Sequence, residues 1–489
     1  MLIDLDRSRP VSLPAQIAAA IRDAITSGTL APGDAVPSTR ELAGQLGVSR
    51  GSVITAYDQL TSEGYLEASQ GAPTRVHPSL PQQNTGSGTI TATHEPPRTH
   101  ALRRPGLPTI SLKPSSGHAG SVRPAAWRKA WREAAADPVP DSDAAGHPDL
   151  RAAIAEHLRT ARGIAVTAED VLVTGGSREG LLLILLAYSR SRANSSANSS
   201  ARSSFRPTAT SLRVGVEDPG HPGLRRVIAA AGHEPVPCPI DDSGVVVPGL
   251  PEDLDALLVT PAFQYPLGAS MPAARRAELL SWAAATGTTI IEDDFNAELR
   301  YRIAPQPPLA VALSPTTPAH PRVLTLGSFS TLLGRSLSVG YIVAPRGAAA
   351  ELLPTRRIIG IPVSAVAQLA VAHLLRDGHV RRNTKAVRNR LAARRSTIQA
   401  DVLPALHARG ITVTEMAETG GVDLALSFPD AESRESFTAA LADRGVECGR
   451  LESLWSGQTD GLIMSFAHVD DADFARAISH VHAAASHHY

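Results

Sequence analysis

The chain has 489 residues, and its 47 basic and 47 acidic side chains cancel, so no global charge draws it to nucleic acid or membrane. With 43% hydrophobic and 19% charged residues it is ordinary globular material with length for two or more domains, which excludes a fibrous or wholly disordered chain. Cys238 and Cys448 are its only cysteines, too few for a disulfide framework or a cysteine-based zinc site. No apolar run reaches the roughly 20 residues needed to span a bilayer, and "MLIDLDRSRP" lacks a leader's apolar core, so a cytoplasmic protein is expected.

In "SLPAQIAAAIRDAITSGTL", Ile17, Ile21, Ala24 and Ile25 recur at helical spacing, and Gly28 follows where the helix would stop. The next stretch, "PSTRELAGQLGVSRGSVITAYDQLTSEGYL", offers a Ser38…Glu41 capping box, a Leu42/Leu46 apolar face and Gly47 as a terminator. Ser49 then caps a third helix, whose inward stripe is Val53, Tyr57 and Leu60. Arg50, Gly51, Ser52 and Thr55 are left pointing elsewhere. Two short helices joined at a glycine turn form a helix-turn-helix, whose second helix can enter a major groove N-terminus first. "GYLEASQGAPTRVHP" reads as two strands around a turn, a wing. The plainer alternative is a small helical protein-interaction module.

Residues 78–108 are rich in Pro, Gly, Thr and Gln without apolar periodicity, and read as a flexible linker. A second biased run at 189–211, "SRSRANSSANSSARSSFRPTATS", reads as a disordered surface insertion. Its Arg190, Arg192, Arg202 and Arg206 are expected to be solvated. From residue 109 onward, strand-like runs such as "DVLVTG", "LDALLVTPA", "TTIIEDDF" and "RVLTLGSFS" alternate with helical stretches. That alternation predicts a mostly parallel sheet covered on both faces, with ligands at the carboxyl ends of the strands.

The text "GTLAPGDAVPSTRELA…LGVSRGSV…AYDQL…EGYL" resembles the GntR family of winged-helix regulators. The resemblance implies that Arg40, Arg50 and Ser52 contact operator DNA, with Thr74 in the wing, where Pro73 departs from the family's usual glycine. The strand-end segments "VTGGSREGL", "VEDPGHPG", "VTPAFQYPLGASMP", "IIEDDFNAELRY" and "LGSFSTLLGRSLSVGY" resemble the fold-type I, class I aminotransferase domain. Behind a GntR module and linker, they resemble the MocR subgroup of transcriptional regulators. The fold expected is an N-terminal winged helix-turn-helix at 1–77 and an α/β, pyridoxal phosphate-type aminotransferase-like domain at 109–489. The large subdomain would cover about 146–355 and the small one about 356–489. A homodimer is implied, swapped head to tail, with operator DNA and an unidentified small-molecule effector as partners.

Pyridoxal phosphate demands a lysine for its Schiff base, an acid facing its pyridine nitrogen and donors for its phosphate. By resemblance, Asp293 is that acid, and Gly176, Ser177 and Ser328 belong to the phosphate cradle. Thr331 stands in the lysine position, Ser338 in that of a phosphate-binding arginine and Phe295 in that of a ring-facing tyrosine. His221 and Asp141 replace further tyrosines, and Phe263 and Leu267 alter the "SHQYPTG" type of segment. The remaining lysines, Lys113, Lys129 and Lys385, match no strand end. The expectation is a regulator without covalent pyridoxal phosphate and without transaminase activity, its pocket made more apolar by His221, Phe263 and Phe295. Two alternatives stay open: non-covalent binding of pyridoxal phosphate or its amino-acid adduct, and an enzyme of another class using His221 and Asp293.

Overall fold

The computed structural model describes residues 5–6, 12–67, 73–78, 109–114, 122–136, 143–197, 211–294, 296–300, 307–312, 321–344, 347–415, 423–454 and 460–486. The chain divides into two units, residues 1–103 and 104–489. Of the proposed linker, 79–108 lies outside the described residues.

The first unit holds α1 (Leu13–Thr26), α2 (Thr39–Leu46), α3 (Arg50–Ser62), β1 (Leu66–Glu67) and β2 (Arg75–Val76). The Ser38 and Ser49 hydroxyls cap α2 and α3 by accepting from the Glu41 and Ser52 backbone N–H groups, at 3.2 and 3.1 Å. Gly47, at φ 61°, ends α2 in the left-handed conformation that lets α3 begin three residues later, at Arg50. Ile17, Ile21, Leu42, Val53, Tyr57 and Leu60 close one core with Leu66 and Val76 from the antiparallel β1/β2 pair. This is the winged helix-turn-helix that the capping and apolar spacing predict.

The second unit begins with β3 (Ile110–Ser111), α4 (Pro124–Ala134), α5 (Pro148–Arg162), β4 (Val171–Thr174) and α6 (Ser177–Ala197). There follow β5 (Arg213–Asp218), α7 (Pro222–Ala230), β6 (Glu234–Asp241), β7 (Gly244–Val245), β8 (Ala256–Val259), α8 (Ala273–Thr286) and β9 (Thr289–Asp293). Next come β10 (Val323–Ser328), α9 (Ser330–Leu333), β11 (Gly340–Val343), α10 (Ala348–Ile359), α11 (Ala365–Arg376) and α12 (His379–Thr397). The chain finishes with α13 (Leu403–Ala408), β12 (Thr412–Glu415), β13 (Asp423–Ser427), α14 (Ala431–Asp443), β14 (Val446–Glu447), β15 (Gly449–Arg450), β16 (Leu462–Ser465) and α15 (Asp471–Ser486).

Eight strands form one sheet in the order β4-β11-β10-β9-β8-β5-β6-β7. The five from β10 to β6 are mutually parallel, and β11 runs antiparallel between β10 and β4. Strands β4, β8 and β9 are buried at every position, as their Val/Leu/Ile runs require, while β6 is largely exposed. Gly340 pairs with both Thr174 and Ser328, so the ends of β4 and β10 and the start of β11 meet at one place. A second sheet, β12-β13-β16-β15, carries a separate core, to which Ile110 and Leu112 also belong because β3 pairs in parallel with β14. Helix α11 serves both cores, Val371 on the large sheet's side and Leu374 on the other.

The run from 189 is not irregular throughout, because α6 continues to Ala197. Nothing between 189 and 197 is Gly or Pro, Ser189 Oγ returns a hydrogen bond to the Leu185 carbonyl at 2.9 Å, and Arg192 pairs with Asp255. Residues 198–210, with Arg202 and Arg206, lie outside the described residues. Among the described residues no helix is long and apolar enough to cross a membrane.

Candidate functional site

In the first unit, Arg40 on α2 and Arg50 at the start of α3 are exposed, and Arg50 Nε approaches Thr39 Oγ1 at 3.4 Å. Ser52 is half-buried, its hydroxyl 2.9 Å from that of Ser49. The Arg50–Thr39 contact brings the start of α3 to the start of α2, with Arg40 next to Thr39 and Ser52 two residues after Arg50. Thr74 stands apart on the wing, its carbonyl accepting from the Val36 backbone N–H at 3.0 Å, with Pro73 exposed beside it. Ile54, 39% exposed, shares a helix face with Arg50; sequence reading passed it over, although one apolar residue off the inward stripe is the signal. Such a face offers cations to phosphate or guanine and a methyl surface to thymine.

In the second unit, a cleft of about 180 Å³ opens at the carboxyl end of the sheet. It brings together Gly176, Ser177, Asp293, Ser328 and Thr331, which the sequence comparison placed there by resemblance, and His221. Arg178, Asp294, Asn296 and Ser330 also line it, and sequence reading had not named them. Gly176 and Ser177 open α6, so the helix's first N–H groups face the cleft. Ser177 Oγ donates to Asp293 Oδ1 at 3.1 Å, and the Ser328 hydroxyl lies 2.9 Å from that of Ser330.

His221 Nδ1 accepts from the Gly223 and Leu224 backbone N–H groups at 3.0 and 3.3 Å, capping α7, and its ring lies 5.5 Å from that of Tyr265. The Arg178 guanidinium reaches over Gly223 beside this ring, and no carboxylate among the described residues pairs with it.

Burial pushes the Asp293 carboxyl up to about 7, against the hydrogen bond from Ser177, and the neighbouring Asp294 and Glu217 push the same way. Glu217 is likewise raised to about 7 by burial, although Thr260 donates to it through both its N–H and its hydroxyl. Asp294 is paired with the fully buried Arg162. Burial works against the charge on Arg162, but Asp294 and Glu298 outweigh it, and the guanidinium stays protonated. Glu298 in turn bonds His157 at 2.8 Å.

Of the residues expected to make the cleft more apolar, His221 lines it, while Phe263 is buried without lining it. Phe295 and Asp141 lie outside the described residues. Ser338 is exposed at φ 48° and does not line the cleft. None of the three lysines lines it either. Lys113 pairs with Glu447 at 2.9 Å, Lys129 with Asp377 at 3.1 Å, and Lys385 is exposed on α12.

A winged helix ahead of an aminotransferase-type sheet defines a two-module DNA-binding regulator. Residues 13–76 match the family of bacterial regulatory proteins called gntR, and residues 116–481 match aminotransferase class I and II. The pyridoxine biosynthesis transcriptional regulator PdxR of Corynebacterium glutamicum is 38% identical over 96% of this chain and 95% of its own. The probable rhizopine catabolism regulatory protein MocR of Rhizobium meliloti is 28% identical over 99% and 96%. Among solved structures, the α-aminoadipate aminotransferase LysN of Thermus thermophilus shares the fold, with a TM-score of 0.61 at 22% identity over 77% of this chain and 92% of that one. The chain belongs to the GntR family, among the MocR/PdxR-type transcriptional regulators with an aminotransferase-like domain.

Proposed function

We propose that this regulator reads operator DNA through Arg40, Arg50, Ser52 and Thr74, acts in the cytoplasm as a head-to-tail homodimer tethered by residues 78–108, and senses a small effector without covalent chemistry. The DNA reading is carried by the outward face of α3, where Arg50 and Ile54 stand clear of the core. Arg50→Ala is expected to weaken binding to a duplex from the gene's own upstream region by about 1–3 kcal/mol per half-site. Fluorescence anisotropy against a scrambled duplex checks this, and equal affinities for wild type and variant would reject it.

The sensing reading rests on the absence of an amine from the cleft. Covalently held pyridoxal phosphate does not fit this donor set, since hydroxyls, carboxyls and a guanidinium form no Schiff base with an aldehyde. With Thr331 in the lysine position, transamination has no proton shuttle, and the domain is not an enzyme.

The cleft suits a small amphoteric ligand. Its anionic group would meet Arg178, the start of α6 and the hydroxyls of Ser177 and Ser328, and its basic group would meet Asp293.

Non-covalent pyridoxal phosphate is the second reading, favoured by that same helix start and by Asp293. Restoring Thr331→Lys with Ser338→Arg is expected to tighten pyridoxal phosphate binding at least ~10-fold, because one charge-assisted hydrogen bond alone is worth about 1.5–3 kcal/mol. Equilibrium dialysis measures it. Retention with an aldimine-like absorbance band by the unaltered protein would overturn the non-covalent reading.

A further inference from the structure

Helix α12 has two unlike faces. Its inner face buries Val380, Val387 and Leu391, together with Arg394, which donates to the Phe466 carbonyl and to Asp471, each at 2.6 Å. Its outer face carries Arg381, Arg382 and Lys385, all exposed, with Arg388 half-buried one turn on. The helix, "HVRRNTKAVRNRLAARRST", contains no acidic residue.

No carboxylate among the described residues pairs with Arg381, Arg382 or Lys385. The nearby acids are already taken: Asp377 by Lys129, Asp149 by Arg376 and Glu156 by Arg159. The guanidinium groups of Arg381 and Arg382 both lie within 4 Å of the point where a side chain on Gly378 would start. Two like charges are thus brought together with no acid between them, in a chain whose overall charge is zero. An anion seated there would relieve the repulsion.

From Arg381 to Lys385 the exposed stripe runs about 6 Å along the helix axis, a length over which duplex DNA presents about three or four phosphates. The inner side of α12 is tied to the cleft: Asn383 Nδ2 donates to the Leu332 carbonyl at 2.7 Å, one residue after Thr331.

We propose that the outer face of α12 is a second DNA contact, made to the phosphate backbone and blind to sequence, which adds to the hold of the winged helix. This rests on the reading of the chain as a DNA-binding regulator. Arginine and lysine at helical spacing position a protein on a duplex through phosphate contacts, and each contact made releases counterions. Sequence would be read at α3, while α12 would set strength and salt dependence.

The test uses the full chain with Arg381→Gln, Arg382→Gln and Lys385→Gln combined, and a mixed-sequence duplex of about six helical turns as the probe. The slope of log affinity against log salt is expected to become shallower by about 2 to 3, with the affinity loss greatest at low salt. A control removes as many charges elsewhere: Arg159→Gln, Arg213→Gln and Arg476→Gln, each an arginine with a carboxylate partner. It is expected to keep the wild-type slope. An unchanged slope in the α12 variant overturns the proposal, as does an equal fall in the control. Arg50→Ala, assayed on upstream and scrambled duplexes, separates the two failures. If Arg50→Ala loses discrimination while the α12 variant behaves as wild type, only the inference falls; if neither variant changes binding, the DNA-binding reading falls with it.

Discussion

Arg162→Met is expected to destabilise the second unit by about 3–5 kcal/mol, the usual cost of removing one partner from a buried ion pair. Arg162 lies in the last turn of α5 with its side chain fully buried, and its partner Asp294 is 6% exposed. Without the guanidinium, Asp294 would be left beside the buried Glu292 and Asp293 and the half-buried Glu298, with Arg276 the remaining cation acting on it. The deficit is therefore expected to shrink as pH falls, because protonating Asp294 removes the orphaned charge. Arg162→Met combined with Asp294→Leu, which takes away both charges, should recover much of the loss. Denaturant unfolding at neutral and acidic pH measures this. A loss under about 1 kcal/mol at neutral pH would mean the pair is worth no more than one at the surface.

Gly340→Ala is expected to cost about 1–3 kcal/mol or more, the range for forcing a methyl into a packed site. A Cβ at this position would sit 2.6 Å from Gly176 Cα and 2.6 Å from the Gly327 carbonyl oxygen. Both obstacles are backbone, so no rotamer change relieves them. Gly176 lines the cleft, and the variant is expected to weaken ligand binding along with stability. Gly51→Ala is the companion measurement. Its nearest atom would be Ser49 Oγ at 3.8 Å, on an exposed helix where alanine gains up to about 1 kcal/mol over glycine. Equal unfolding midpoints for Gly340→Ala and the unaltered protein would show that the β4/β11 edge yields.

Much of this was legible in the chain because local chemistry and tertiary placement agreed. Ser38, Gly47 and Ser49 punctuate the first unit by capping alone, and the positions are those the structure uses. The strand-end residues Gly176, Asp293 and Ser328 could be found because parallel strands bring their carboxyl ends to one edge. Contacts between distant segments were not legible. Nothing in "TISL" tells that Ile110 pairs with Val446, or that Arg162 lies against Asp294, since charged residues are ordinarily read as surface. The composition of 189–197 suggested a loop, but serine, alanine and arginine continue a helix that a long apolar run has already nucleated. That Phe263 is buried beside the cleft without lining it was not legible either, because a buried aromatic need not face the cleft it neighbours.

Among the described residues no lysine lines the cleft, and the non-covalent sensing proposed from that has a consequence in time. An occupant held by contacts alone leaves without chemistry. At a dissociation constant of about 1 µM and an association rate constant on the order of 10⁶ M⁻¹s⁻¹, it stays for about a second. On the non-covalent sensing proposed above, occupancy would follow the free concentration of the effector from moment to moment, and the protein would keep no memory of a molecule it has released.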